Sequence, residues 1–125
     1  MRSAIIIASL ILGSAAPALA AGDPVQGERQ FGQCLSCHTI EKGAPDGAGP
    51  NLYGVLGKPA ATGKPGFVFS DALKKSGIVW TDDKLDAWLK SPATLVPNTN
   101  MAFVGIPKPI NRENLIAYLK QATTK

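Results

Sequence analysis

Apolar residues recur at helical spacing in only a few short stretches of this chain, and glycine- and proline-punctuated segments separate them. The first stretch opens at Asp23-Pro24, an N-cap followed by proline at the first helical position. It predicts a helix through Gln33 with Gly27 and Phe31 on one face. A second, short helix is predicted over Ser70 to Ser76, stopping at Gly77. Thr81-Asp82-Asp83 places a capping hydroxyl and two acids at the start of a third, which ends before Pro92. Asn111 is expected to cap the last helix, in which Leu115, Tyr118, Leu119 and Ala122 form one apolar stripe. Glu41 to Gly66 and Ser91 to Pro109 read as loop. No stretch alternates with the period of two that a strand needs, so the fold class is all-α, with about four helices and long loops.

The first twenty residues follow a different rule. Met1-Arg2 is a positive start, Ile5 to Leu12 is an apolar run, and Ala18-Leu19-Ala20 is an A-x-A cleavage site, which together read as a secretory signal peptide. The run is too short to span a bilayer, and no later stretch offers a membrane span. Residues 1–20 are therefore expected to be a leader and residues 21–125 a single domain, exported to the periplasm. The formal net charge of +4 is too mild to argue for nucleic acid.

Export sharpens the reading of the cysteines. Cys34-Leu35-Ser36-Cys37-His38 is a C-x-x-C-H motif, the attachment site of a c-type haem. In that chemistry both thiols add to the haem vinyl groups and the adjacent histidine ligates the iron. Two cysteines in an exported chain could instead form a disulfide, and C-x-x-C is also a thiol oxidoreductase motif. The oxidoreductase motif wants a βαβ context, which the sequence after His38 does not offer. A structural zinc site needs four ligands, and the chain has one histidine and two cysteines. A haem also answers the length of the loops, since loops this long are uncommon in compact domains unless they pack on something.

An iron held by His38 asks for a sixth ligand. Bis-histidine ligation within the chain is impossible, which leaves methionine, lysine or an open position. Of the two methionines, Met1 falls in the leader, so Met101 is the candidate. A thioether is soft and neutral and favours ferrous iron. The competing reading of Met101 is a core filler in a loop.

With these residues in hand the chain resembles the class I cytochromes c, over nearly all of residues 21–125. The resemblance rests on Cys34-Leu35-Ser36-Cys37-His38, Gly49-Pro50-Asn51-Leu52-Tyr53-Gly54, Gly77-Ile78-Val79-Trp80, the Met101 loop and Leu115-Ile116-Ala117-Tyr118-Leu119. It implies that His38 and Met101 are the axial ligands of one covalently bound haem c and that the Pro50 carbonyl accepts the other ring N–H of His38. It also implies that Trp80 bonds a haem propionate, that Thr99 steadies the methionine loop, and that Gly27 and Phe31 cross the last helix near Leu115 and Tyr118. The chain departs from the family at Phe69, Leu73, Trp88 and Lys58, where relatives commonly place tyrosine, asparagine, tyrosine and arginine. It also has Gln33, Gly47, Ala93, Thr94, Asn100 and Pro107 at positions where mitochondrial-like members carry lysines, while Lys42 and Lys108 remain.

The function expected from the sequence is a periplasmic, monomeric one-electron carrier whose partners are membrane or periplasmic redox proteins. Enzymatic activity is not expected, because a six-coordinate iron has no position for substrate. The alternatives are an enzyme or gas-binding haem protein with a labile Met101 bond, and a tightly held subunit of a respiratory or dehydrogenase complex.

Overall fold

A computed structural model describes residues 22–124; the expected leader, residues 1–20, lies outside them. Five α-helices follow one another among the described residues: α1 (Pro24–Phe31), α2 (Asp71–Lys75), α3 (Asp82–Lys90), α4 (Pro92–Leu95) and α5 (Pro109–Ala122). They contain no strand, only an isolated bridge between Pro59 and Val79, in keeping with an all-α class.

Capping chemistry starts three of the helices where the sequence places them. The Asp23 carboxylate accepts from the N–H groups of Val25 and Gln26 at 2.9 and 3.5 Å. Ser70 caps α2 through the Leu73 N–H, and Thr81 caps α3 through the Lys84 N–H. Asp82 and Asp83 then lie in the first turn of α3, favourably placed at the positive end of its dipole.

Three details differ from expectation. The α-helical part of the first helix ends at Phe31, and the chain tightens into a 3₁₀ turn over Gly32–Cys34 on its way into the cysteine motif. Within the segment expected to be loop from Ser91 to Pro109, Pro92–Leu95 form α4. Ser91 accepts from the Thr94 N–H at 3.3 Å and Pro92 takes the first helical position, so the Ser-Pro pair starts a helix as well as ending one. The last helix begins at Pro109, two residues before the expected cap. Lys108 is its N-cap without a side-chain bond, and Asn111 lies inside the first turn, its N–H bonded to the Lys108 carbonyl.

The core forms where α1 crosses α5. A Cβ built at Gly27 would overlap the Asn114 carbonyl and lie 2.7 Å from the Tyr118 Cβ, so only glycine lets the two helices approach this closely. Phe31 packs on Tyr118 with ring centroids 5.6 Å apart, and the Asp23 N–H donates to the Asn114 side chain at 2.8 Å. Leu115, Ile116 and Leu119 of α5 are buried together with Phe31 and with Leu85, Trp88 and Leu89 of α3. This helical corner supports the loops that carry the candidate site residues.

Candidate functional site

The cysteine motif closes as a single turn. The N–H groups of Cys37 and His38 both donate to the Cys34 carbonyl, at 3.1 and 2.9 Å. This curvature puts side chains three residues apart on one side. Both thiols are free, with no disulfide between them. Burial pushes the Cys34 thiol up to about 11, and the neighbouring Cys37 adds to the rise. A thiol–disulfide catalyst needs a thiol with a depressed pKa, and burial works against that at Cys34.

His38 follows immediately, half-buried, and its Nδ1–H donates to the Pro50 carbonyl at 2.7 Å. That bond fixes the ring and leaves Nε2 as the nitrogen with a lone pair to offer. Gly49 makes the arrangement possible. A Cβ there would overlap the imidazole, coming within 2.7 Å of Nδ1 and 2.8 Å of Nε2, so the ring lies directly against the backbone of the loop. The Gly49 N–H in turn donates to the Cys37 carbonyl at 2.8 Å, joining the loop to the cysteine turn.

Asn51 organises this loop, a role the sequence reading did not assign. It is buried, and its amide N–H₂ donates to the carbonyls of Glu41 and Ala44, both at 2.7 Å. Its side-chain oxygen accepts from the Tyr53 N–H at 2.7 Å, and its own backbone N–H donates to Asp46 at 2.6 Å. Every polar atom of the side chain is used, and the loop is shaped so that the adjacent Pro50 carbonyl faces His38.

The Met101 segment is held more sparsely. The Met101 N–H donates to the Thr99 hydroxyl at 3.4 Å, the Thr99 N–H to the Val96 carbonyl at 3.1 Å, and the Phe103 N–H to the Met101 carbonyl at 3.0 Å. Further on, the Ile106 N–H donates to the Leu89 carbonyl of α3 at 2.8 Å.

One cleft of about 370 Å³ brings the candidate residues together: Cys34, Cys37, His38, Pro50, Trp80, Thr99 and Met101 all line it. Phe69, Leu73, Leu89 and Leu115 make much of the remaining surface apolar. Trp80 is half-buried and stands edge-on to the buried Trp88, with centroids 5.3 Å apart. Two cations also line the cleft. Lys58 is exposed, whereas Lys64, missed by sequence reasoning, is half-buried and donates to the Tyr53 carbonyl at 2.6 Å.

This donor set fits a haem. Two thiols lie one turn apart, an imidazole has its outer nitrogen tied to a carbonyl, and a thioether lines the same apolar cleft. Among the described residues no cluster of three or more His, Cys, Asp and Glu offers a site for a bare metal ion, and no helix is long and apolar enough to cross a membrane.

Comparison with known proteins agrees with the chemistry. No protein-family model matches the chain. It is 46% identical over 104 residues to cytochrome c2 of Rhodomicrobium vannielii, covering 83% of this chain and 82% of that protein. To the cytochrome c of Theileria annulata it is 45% identical over 105 residues, covering 83% and 90% of the two chains. Among solved structures, cytochrome cH from Methylobacterium extorquens superposes with a TM-score of 0.75 at 47% identity, covering 80% of this chain and 99% of that one. Relatives this similar over this much of their length leave one conclusion: the chain belongs to the class I cytochromes c, monohaem electron carriers whose haem c is covalently bound, and Cys34 and Cys37 fit that attachment.

Proposed function

We propose that the protein is an exported, periplasmic one-electron carrier in which Cys34 and Cys37 hold the haem through thioether bonds and His38 and Met101 ligate the iron on its two faces. The observation that carries this reading is that the chain's one histidine and the one methionine beyond the expected leader line the same cleft as both cysteines. A haem supplies the ferric–ferrous couple there. The protein's own residues do the rest. Pro50 orients the imidazole and raises its donor strength, Thr99 holds the backbone of the methionine, and the apolar lining limits water at the iron. Trp80 is assigned to a haem propionate through its indole N–H.

With His38 and Met101 both committed to it, a haem iron would have no place for a substrate, and the role would be transfer of single electrons between membrane or periplasmic redox proteins. The cationic ring that would steer acidic partners is thin, which favours a monomeric shuttle docking through apolar contact around Ala102 and Phe103. Replacement of Met101 tests the ligand set. Met101→Ala should abolish the weak red charge-transfer band of a thioether-bound ferric haem. It should also lower the midpoint potential by roughly a hundred millivolts or more, within the span of about 0.8 V that axial ligands control. An unaltered band in that variant excludes Met101 as the ligand.

A further inference from the structure

The return of the Met101 segment to the body of the protein is a stretch with few backbone donors. Pro107 and Pro109 have no N–H, so between Ile106 and α5 the chain is held largely through its carbonyls. Arg112 supplies the donors. It lies in α5, only 5% exposed, and its Nη1 donates to the carbonyls of Ile106 and Pro107 at 2.8 and 3.0 Å. Its Nε and Nη2 donate to the Asp86 carboxylate of α3 at 2.7 and 3.5 Å. One guanidinium therefore joins α5, α3 and the segment. Two contacts beside it show how closely the segment lies on α3: the Ile106 N–H bonds the Leu89 carbonyl, and a Cβ at Gly105 would overlap the Lys90 carbonyl.

We infer that Arg112, fixed by Asp86, is a positioning residue for the thioether ligand: by pinning the carbonyls of Ile106 and Pro107 it sets how far Met101 can withdraw from the iron. The inference rests on the reading of Met101 as the axial ligand. Val96, buried at the end of α4, is the near post of the loop and Ile106 is the far post. Loss of the guanidinium leaves the far post on a single backbone bond and passes the hinge toward Pro109. Conformers with the sulfur displaced are then more populated, and an outside ligand competes for the iron more easily.

Exogenous imidazole, titrated into the ferric holoprotein and followed by loss of the thioether charge-transfer band, measures that population. Arg112→Gln should raise the apparent imidazole affinity roughly tenfold, the scale of losing charge-assisted hydrogen bonds. Arg112→Lys should recover only part of the effect, because an ammonium lacks the fork that serves both carbonyls and the carboxylate. Ile116→Ala is the control: it removes a buried α5 side chain that does not line the cleft. It should lower the denaturant midpoint while leaving imidazole affinity unchanged. A rise in Arg112→Gln no larger than in this control overturns the inference. Should Arg112→Gln fail to mature, Asp86→Asn, which keeps the guanidinium but removes its anchoring charge, should raise imidazole affinity a few-fold, and no rise there overturns it equally. A wild-type ferric spectrum lacking the thioether band would instead remove the ligand reading itself, and the role of Arg112 with it.

Discussion

The segment that presents His38 and the segment that presents Met101 line one cleft, yet they are built by opposite means. The histidine side is stabilised from within. Asn51 bonds three backbone groups of its own loop and the Asp46 carboxylate, Thr39 bonds the Pro45 carbonyl, and Gly49 and Leu52 send their N–H groups back to Cys37 and Thr39. The methionine side makes few bonds of its own and is fixed mainly at its ends, by Val96 at one and by α3 and Arg112 at the other. A network that satisfies itself opens only when several bonds break together, whereas a span held at its ends fluctuates at lower cost. On the proposed ligation, the difference would make the imidazole the permanent ligand and the thioether the exchangeable one.

Asn51 gives the largest test of that contrast. Asn51→Ala would remove three part-buried hydrogen bonds, to the Glu41 and Ala44 carbonyls and from the Tyr53 N–H, each contributing about 0.5–1.5 kcal/mol. Denaturant unfolding of the holoprotein should show a loss of at least this size. The charge-transfer band of the thioether should persist until the global transition, because the bonds of Asn51 run to Glu41, Ala44, Asp46 and Tyr53 and that of the Met101 N–H to Thr99. Loss of the band well before unfolding would mean that the two segments are not independent.

Much of the site could be read in the residues alone, for a definite reason. The cysteine motif, its histidine and the lone downstream methionine are chemical groups whose identity carries their use, and the N-caps at Asp23, Ser70 and Thr81 act over three residues of sequence. Asn51 and Arg112 carry no such local mark. Each is a polar residue whose work is to bond backbone carbonyls, which every residue type supplies, so nothing in the partners' identity betrays the contact. The same reasoning explains α4 and the start of α5. A four-residue helix is too short for its apolar period to register, and Pro109 begins a helix whose N-cap Lys108 makes no side-chain bond, so the capping residue type nearest by, Asn111, points three residues too far along.

Thr99 tests the sparse side by a smaller step. Its hydroxyl accepts the Met101 N–H at 3.4 Å, a long bond, so Thr99→Val should cost about 0.5–1 kcal/mol locally. The alkaline loss of the thioether band should begin at lower pH in this variant, while the denaturant midpoint stays within error of the wild type. A shift confined to the denaturant midpoint would place Thr99 among ordinary loop-packing residues and weaken the view that the segment opens on its own.

Tyr118 offers the finest discrimination, because it lets alkaline pH act at the α1–α5 crossing, away from the Met101 segment. Partial burial first, then the carboxylates of Glu28 and Glu41, push its phenol above the ordinary value. Glu41 belongs to the loop that Asn51 organises. The folded protein therefore holds the phenolic proton to higher pH than the unfolded chain does, so Tyr118 leaves stability unchanged below about pH 10 and lowers it as pH rises through and beyond that value. Tyr118→Phe keeps the packing on Phe31 and removes the proton. Between about pH 9 and 11 its stability should fall less steeply than that of the wild type, by denaturant unfolding at each pH, while the pH at which the thioether band is lost stays the same. If the variant instead shifted the loss of the band, alkaline opening of the Met101 segment would be coupled to the α1–α5 crossing, and the separation of the two sides would fail at its most sensitive point.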